Sequence, residues 1–195
     1  MFPANFRVFL DANVLFPMAV RDTLLRAAEA GLIQPYWSVR VLEEMRRNLV
    51  KQTQCSEQQA DKLVAIINRE FPDSTVSGYE RLEPSMKNDP GDRHVAAAAL
   101  MAQAQVIVTN NLKHFRQEEL PPGMEAQSAD DFLQLLFDLA PRKMLEVLRK
   151  QAADKRKPPL TLSQLLDGLA KSVPGFIKDV RDYLALLDAE PGGTA

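Results

Sequence analysis

The chain of 195 residues has a single cysteine, Cys55. One cysteine cannot close an internal disulfide, and without CxxC pairs there is no thiolate metal cage. Cys55 lies in the polar run "KQTQCSEQQ", which suits a helix linker better than a catalytic thiol. Long apolar runs are also missing. None approaches the roughly 20 residues that a membrane span needs. The start "MFPANFRVF" lacks the charged-then-apolar order of a secretory leader. These absences lead to the expectation of a reducing, cytoplasmic location and no membrane partner. The formal net charge of −2 gives no global signature of nucleic-acid binding, so such a role has to rest on a local patch. No internal repeat is visible. What remains is ordinary for a soluble globular protein, with 46% hydrophobic and 26% charged residues. The length suits one domain with a smaller unit appended.

Apolar runs alternate with helical patterns up to residue 137. "NFRVFL" reads as a short buried strand. "RDTLLRAAEAGL" has helical spacing and a stop at Gly31. "IQPYWS" reads as a second strand, weakened by Pro35 or confined by it to an edge. Ser38 is placed to cap "VRVLEEMRRNLVKQ", and Ser56 to cap "EQQADKLVAIINREF". "STVSGYE" is short and extended. An Ala-rich helix follows from about Asp92, then the clearest strand, "QVIVTNN". One helical turn is expected at "LKHF", a last strand at "GMEAQ", and a helix after Ser128. This alternation predicts an α/β fold with a mainly parallel central sheet covered on both faces. After Pro141 the strand pattern stops. Three helical segments then follow, and "PGGTA" reads as a frayed tail. The division expected is residues 1–137 for the α/β unit and 138–195 for a helical C-terminal extension.

Sites in open α/β sheets lie beyond the carboxyl ends of the strands. "RVFLD" ends there in Asp11, with Asn13 close behind, and "QVIVTNN" ends in Thr109, Asn110 and Asn111. Helices that follow parallel strands start at the same edge, which brings in Glu43, Glu44, Asp89 and Asp92. Clustered carboxylates oppose one another's ionisation, and a divalent cation removes the conflict. Mg²⁺ and Mn²⁺ prefer such hard oxygen ligands. The chemistry suggested is hydrolysis of a phosphodiester. Taken singly, most of these acids have a plainer reading. Asp92 is an adequate helix cap, Glu43 and Glu44 an exposed helix face, and "NDPGD" a turn. Asp11 is harder to explain away, because burying an unpaired carboxylate is costly.

The ordered set "FLDANVLFP", "WSVRVLEEM", "NDPGDRHVAAAAL" and "VIVTNNLKHF" resembles the PIN domain, over roughly residues 6–137. The resemblance implies a three-layer α/β/α nuclease that cleaves RNA with Mg²⁺ or Mn²⁺. Many such domains are the toxins of VapC-type toxin–antitoxin pairs. It implies Asp11, Glu44 and Asp92 as catalytic acids and metal ligands. Glu43 is then a solvent-facing neighbour. Asn13, Asp89, Thr109, Asn111 and Arg93 become residues that support the site or meet substrate. At the fourth acidic position this chain has Asn111, and His114 stands where an acid is common. An amide adds no negative charge, which favours one firmly held metal over two. His94 is not the expected general base, since a metal-bound water helped by an acid does that work. A PIN-fold RNA-binding module of weak catalytic power and a non-toxin nuclease in RNA processing remain alternatives.

The extension resembles that of longer VapC-like members. Between residues 142 and 157 it carries Arg142, Lys143, Arg149, Lys150, Lys155, Arg156 and Lys157 against Glu146 and Asp154. A solvated helix face and contact with an RNA backbone are both open readings of this run. Phe176, Val180, Leu184 and Leu187 recur at helical spacing and predict packing, most simply on the chain's own domain. The partners implied by the resemblance are RNA, a cognate antitoxin and a second copy in a homodimer.

Overall fold

The computed structural model describes residues 6–53, 55–155 and 158–189. Arg156, Lys157 and the tail from 191 onward lie outside the described residues. The chain order is β1 (Arg7–Leu10), a single turn α1 (Ala12–Leu15), α2 (Met18–Glu29), β2 (Gln34–Ser38), α3 (Val39–Gln52), α4 (Glu57–Glu70) and β3 (Thr75–Val76). A 3₁₀ segment (Glu80–Ser85) then leads to α5 (Arg93–Met101), β4 (Val106–Val108), two further 3₁₀ turns (Leu112–His114 and Gln117–Glu119), β5 (Glu125–Gln127) and α6 (Ala129–Leu139). Last come α7 (Pro141–Ala153), α8 (Leu162–Leu169) and α9 (Pro174–Ala189).

The sheet has the order β3-β2-β1-β4-β5, and each neighbouring pair is parallel. Val8, Phe9 and Leu10 of β1 and Val106, Ile107 and Val108 of β4 are all buried. Continuous apolar strands of this kind are what a parallel sheet covered on both faces requires. Winding outward from β1 to β3 and returning at β4 puts a topological switch between β1 and β4. That is where open α/β sheets form their crevice.

Local chemistry sets the helix boundaries. Ser38 accepts from the Val41 amide at the start of α3, and Ser128 from the Asp131 amide at the start of α6. Ser56 and Gln59 form a reciprocal capping box on α4. Gly31 takes φ +72 just past α2, where the Leu32 amide reaches back to the Ala27 carbonyl at 3.0 Å. Pro35 differs from the expectation of an edge strand, for β2 is interior. Along β2 the Gln34 amide points to β1 and the Trp37 amide to the β3 side. Pro35 shares the parity of Trp37, and β3 pairs only with Trp37 and Ser38. The missing Pro35 donor therefore falls where no strand lies opposite.

The extension shares the sheet's core. Phe132, Leu136, Phe176 and Val180 belong to one buried cluster with the strands. Phe137 meets Phe176 and Tyr183 edge-on, with centroids 5.9 and 5.6 Å apart. The Asp130 carboxylate on α6 accepts from the Gly175 and Phe176 amides at 3.0 and 2.8 Å, satisfying donors at the start of α9. Leu184 is half-buried and Leu187 exposed, so the apolar stripe of α9 is covered only over its first turns. α7 lies on α2, where buried Gln151 accepts from Thr23 at 2.9 Å and donates to the Ala19 carbonyl at 3.1 Å. Residue 138 falls inside α6, so the extension continues that helix. Among the described residues no helix is long and apolar enough to cross a membrane.

Candidate metal centre

Asp11 follows β1 directly and caps the turn α1, at the switch between β1 and β4. It is 4% exposed. Its Oδ1 accepts from the Ala12 amide at 2.6 Å. Its Oδ2 accepts from Asn13 Nδ2 at 2.6 Å and from Thr109 Oγ1 at 2.7 Å. The supporting residues are themselves fixed. Asn13 Nδ2 also donates to Thr109 Oγ1 at 2.9 Å, and Asn13 Oδ1 accepts from the Asn110 amide at 2.9 Å. Thr109 Oγ1 takes a further bond from the Asn111 amide at 3.1 Å. Asn110 Oδ1 accepts from the Ala129 amide at 3.1 Å, which ties the end of β4 to the start of α6.

Burial pushes the Asp11 carboxyl up to about 6, against the opposing pull of the Thr109 and Ala12 bonds. The charges of Asp92 and Glu44 push it further in the same direction. Three acids distant in the sequence therefore share one electrostatic neighbourhood. Glu44 is raised as well, first by burial, with Arg40 opposing. Arg40 Nε lies 3.4 Å from Glu44 Oε1, and its other arm lies 3.8 Å from Glu83. Glu43 is turned outward, 3.7 Å from Arg46.

Asp92 sits at the cap position of α5 but makes no side-chain cap bond. Its carboxylate turns away from the helix to His114, with Oδ2 2.6 Å from Nδ1. The plain reading of this residue as a helix cap is therefore not the observed one. The Asn111 amide nitrogen lies 2.7 Å from the same ring nitrogen and 3.4 Å from Asp92 Oδ2. Nδ1 cannot donate to Asp92 and accept from Asn111 at once. The carboxylate, the stronger acceptor, takes the proton, which favours an Asn111 rotamer with its oxygen toward the ring. Asp89 Oδ1 accepts from the Gly91 amide at 2.9 Å. One ligand atom each from Asp89, Asp92 and His114 lies within 4.8 Å of the others.

Arg93 braces the loop rather than the cluster, donating from Nε to the Asn88 carbonyl at 3.3 Å. His94 is buried, with Nε2 3.4 Å from Glu44 Oε1, yet neither ring nitrogen meets a hydrogen-bond partner. Burial, then Arg40, lowers its pKa to about 4, so the ring is neutral near pH 7. The 3.4 Å approach is therefore a contact with a neutral ring and not an ion pair.

Three roles were not read from the sequence, although His114 and Asn110 were noted there. His114 is a potential ligand, Arg40 pairs with Glu44, and the Asn110 side chain pins the loop. Arg40 stands four residues before Glu44, a spacing that does signal a pair on one helix face. Nothing local in "NNLKHF" shows that His114 folds back onto Asp92.

The donor set fits a hard divalent cation. Asp89, Asp92 and His114 offer two carboxylates beside an imidazole nitrogen, while the buried, raised Asp11 stands outside that close group and is joined to it through the charge of Asp92. A PIN domain family model matches residues 7–113, more than half of the chain. The chain belongs to the PIN domain family. The matched span carries Asp11, Glu44, Asp89, Asp92 and Asn111. A second model, the VapC50 C-terminal domain, matches residues 129–182, from α6 into α9. A protein of Mycobacterium tuberculosis named "Putative ribonuclease VapC50" is 41% identical over 105 residues, which is 53% of this chain and 62% of that protein. The chain thus spans less than two thirds of that relative's length. The five-stranded parallel sheet with flanking helices is the α/β/α arrangement expected of a PIN domain.

Proposed function

We propose that this PIN domain is a metal-dependent endoribonuclease that hydrolyses RNA phosphodiesters. The observation that carries the reading is Asp11. It is a buried carboxylate at the sheet's switch point, held by three donors and set against Asp92 and Glu44. Asp11, Asp92 and Glu44 are the residues that would hold Mg²⁺ or Mn²⁺, with Asp89 and His114 beside Asp92. A bound ion of this kind supplies a more acidic water and a charge that steadies the phosphate. Asn13 and Thr109 orient Asp11, and Asn111 links Thr109 to the Asp92 side of the cluster. Arg93, anchored by Nε on the Asn88 carbonyl, is left its terminal nitrogens for a phosphate. Residues 1–137 form the nuclease unit, and 138–195 the extension.

The name of the Mycobacterium tuberculosis relative supports a further step. The protein would act in the cytoplasm as the toxin of a type II toxin–antitoxin pair, as a homodimer neutralised by a cognate antitoxin. A second reading draws on Asn111, an amide where an acid is common in the resemblance. In that case the domain binds RNA without cleaving it.

Incubating purified protein with total RNA tests both readings. The endonuclease reading expects cleavage with Mg²⁺ or Mn²⁺ and none with EDTA. Binding without cleavage at every metal concentration would leave the RNA-binding module. The toxin role expects growth arrest on expression, relieved by co-expression of a small neighbouring gene product. Growth unaffected by abundant active enzyme would refute the toxin role.

A further inference from the structure

The cations of the C-terminal helices fall into two groups. Those on α9 are neutralised locally. Lys178 lies 2.7 Å from Asp182, and Arg181 lies 2.5 Å from Asp167. At the seam between α2 and the end of α7 the same holds. Arg26 meets Asp22 and Asp154 at 2.8 and 2.7 Å, and Lys155 meets Asp22 at 2.9 Å. The outer face of α7 is different. Arg142, Lys143, Arg149 and Lys150 are all exposed, and none is within ion-pair distance of an acid among the described residues. Glu146 is the acid on the same face, and Lys143 and Lys150 border a notch that Glu29 of α2 also lines. Arg142 and Arg149, like Lys143 and Lys150, are two turns apart and lie in line on the helix, about 10 Å apart along its axis.

The placement of α7 relates this row to the metal centre. Gln151, near the end of α7, bonds Ala19 and Thr23, near the start of α2. Lys143, near the start of α7, lines a notch with Glu29 and Ala30, at the end of α2. The two helices therefore run antiparallel. α2 begins soon after Asp11, so α7 ends at the same edge of the sheet and its basic row runs down the flank for about 12 Å.

We infer that the outer face of α7 is a track for the backbone of an RNA strand that extends beyond the metal centre, so that the substrate is longer than the cleft. The inference rests on that part of the proposed function in which RNA is the molecule bound at the site. Unpaired cations release condensed counterions when phosphates replace them, and the signature is a steep fall of affinity with salt. The segment has no aromatic side chain, so its contacts are with phosphate rather than stacked bases.

The test is fluorescence anisotropy in EDTA, with a labelled mixed-sequence RNA of about 30 nucleotides, across a range of salt. The Arg149→Gln/Lys150→Gln variant is expected to bind about tenfold more weakly, with a log–log salt slope shallower by about 1.4 if two phosphate contacts are lost. The Lys178→Gln/Arg181→Gln variant removes the same charge from pairs already neutralised, and is expected to bind as wild type does. Matching thermal melts of the variants keep folding out of the comparison. An unchanged slope in the α7 variant overturns the inference, as does an equal loss in the α9 variant. So does wild-type protein that fails to bind this RNA, or whose α7 cations hold it to phosphatidylserine vesicles and not to RNA. If wild type binds as expected but never cleaves with Mn²⁺, the nuclease reading fails while the track stands.

Discussion

The site has a buried half and an open half, and a carboxylate meets different physics in each. In the buried half, Asp11 is 4% exposed and held by three donors. In the open half, the side chains of Asp89, Asp92 and His114 are 42%, 23% and 30% exposed. Their main mutual restraint is one contact between His114 and Asp92. The buried half fixes where a ligand sits, at the cost of keeping a reluctant charge there. The open half leaves a way in. In the proposed site, a cation between them would relieve the first and be admitted by the second.

The largest expected effect comes from breaking the buried half. In Asp11→Asn, an amide NH₂ would face the NH₂ of Asn13, whose oxygen is already committed to the Asn110 amide. Loss of charge and orientation together should lower RNA cleavage by about a thousandfold or more, some 4 kcal/mol of barrier, read as kcat/KM. Asp92→Asn should cost less, about a hundredfold, because Asp89 and His114 remain. An equal or larger loss there would erase the distinction between the halves. Next come the residues that orient Asp11. Thr109→Val and Asn13→Ala should each weaken metal affinity about 10- to 100-fold, measured by Mn²⁺ titration calorimetry. Metal affinity should also fall about tenfold per pH unit below about 6, where Asp11 holds its proton. Its contribution to folding in EDTA has the opposite sense. The raised value means that the folded state keeps the proton more tightly. That stabilisation is complete below 3.8 and lost as pH rises through about 6. The smallest effect belongs to the open half. His114→Gln keeps a polar side chain near Asp92 and should reduce cleavage less than tenfold.

Much of this site can be read from the sequence, because its position follows from strand ends. Asp11 closes an apolar run, Thr109 closes another, and the helix starts at Ser38 and Asp92 fall at the same edge by the logic of a parallel sheet. Caps at Ser38, Ser56 and Ser128 were legible for the same local reason. What stayed hidden depends on which way a side chain turns. Asp92 has the sequence signature of a cap and does not cap. His114 folds back from a 3₁₀ turn onto Asp92, and no spacing rule covers that contact. Pro35 misled because the length of β3, set elsewhere in the chain, decides whether its missing donor matters. The extension read as helices, but its union with the core through Phe137, Asp130 and Gln151 is a tertiary fact.

The central claim is that Asp11 and Asp92 hold one divalent ion between the two halves. Thermal unfolding of wild type and Asp11→Asn with and without Mn²⁺ at pH 7 tests it most directly. At about 100 times Kd, bound metal stabilises the native state by about 2.7 kcal/mol, a rise of roughly 5–10 °C for a chain of this size. The account predicts that rise in wild type and little or none in the variant. An equal rise in both, or none in wild type, would contradict it.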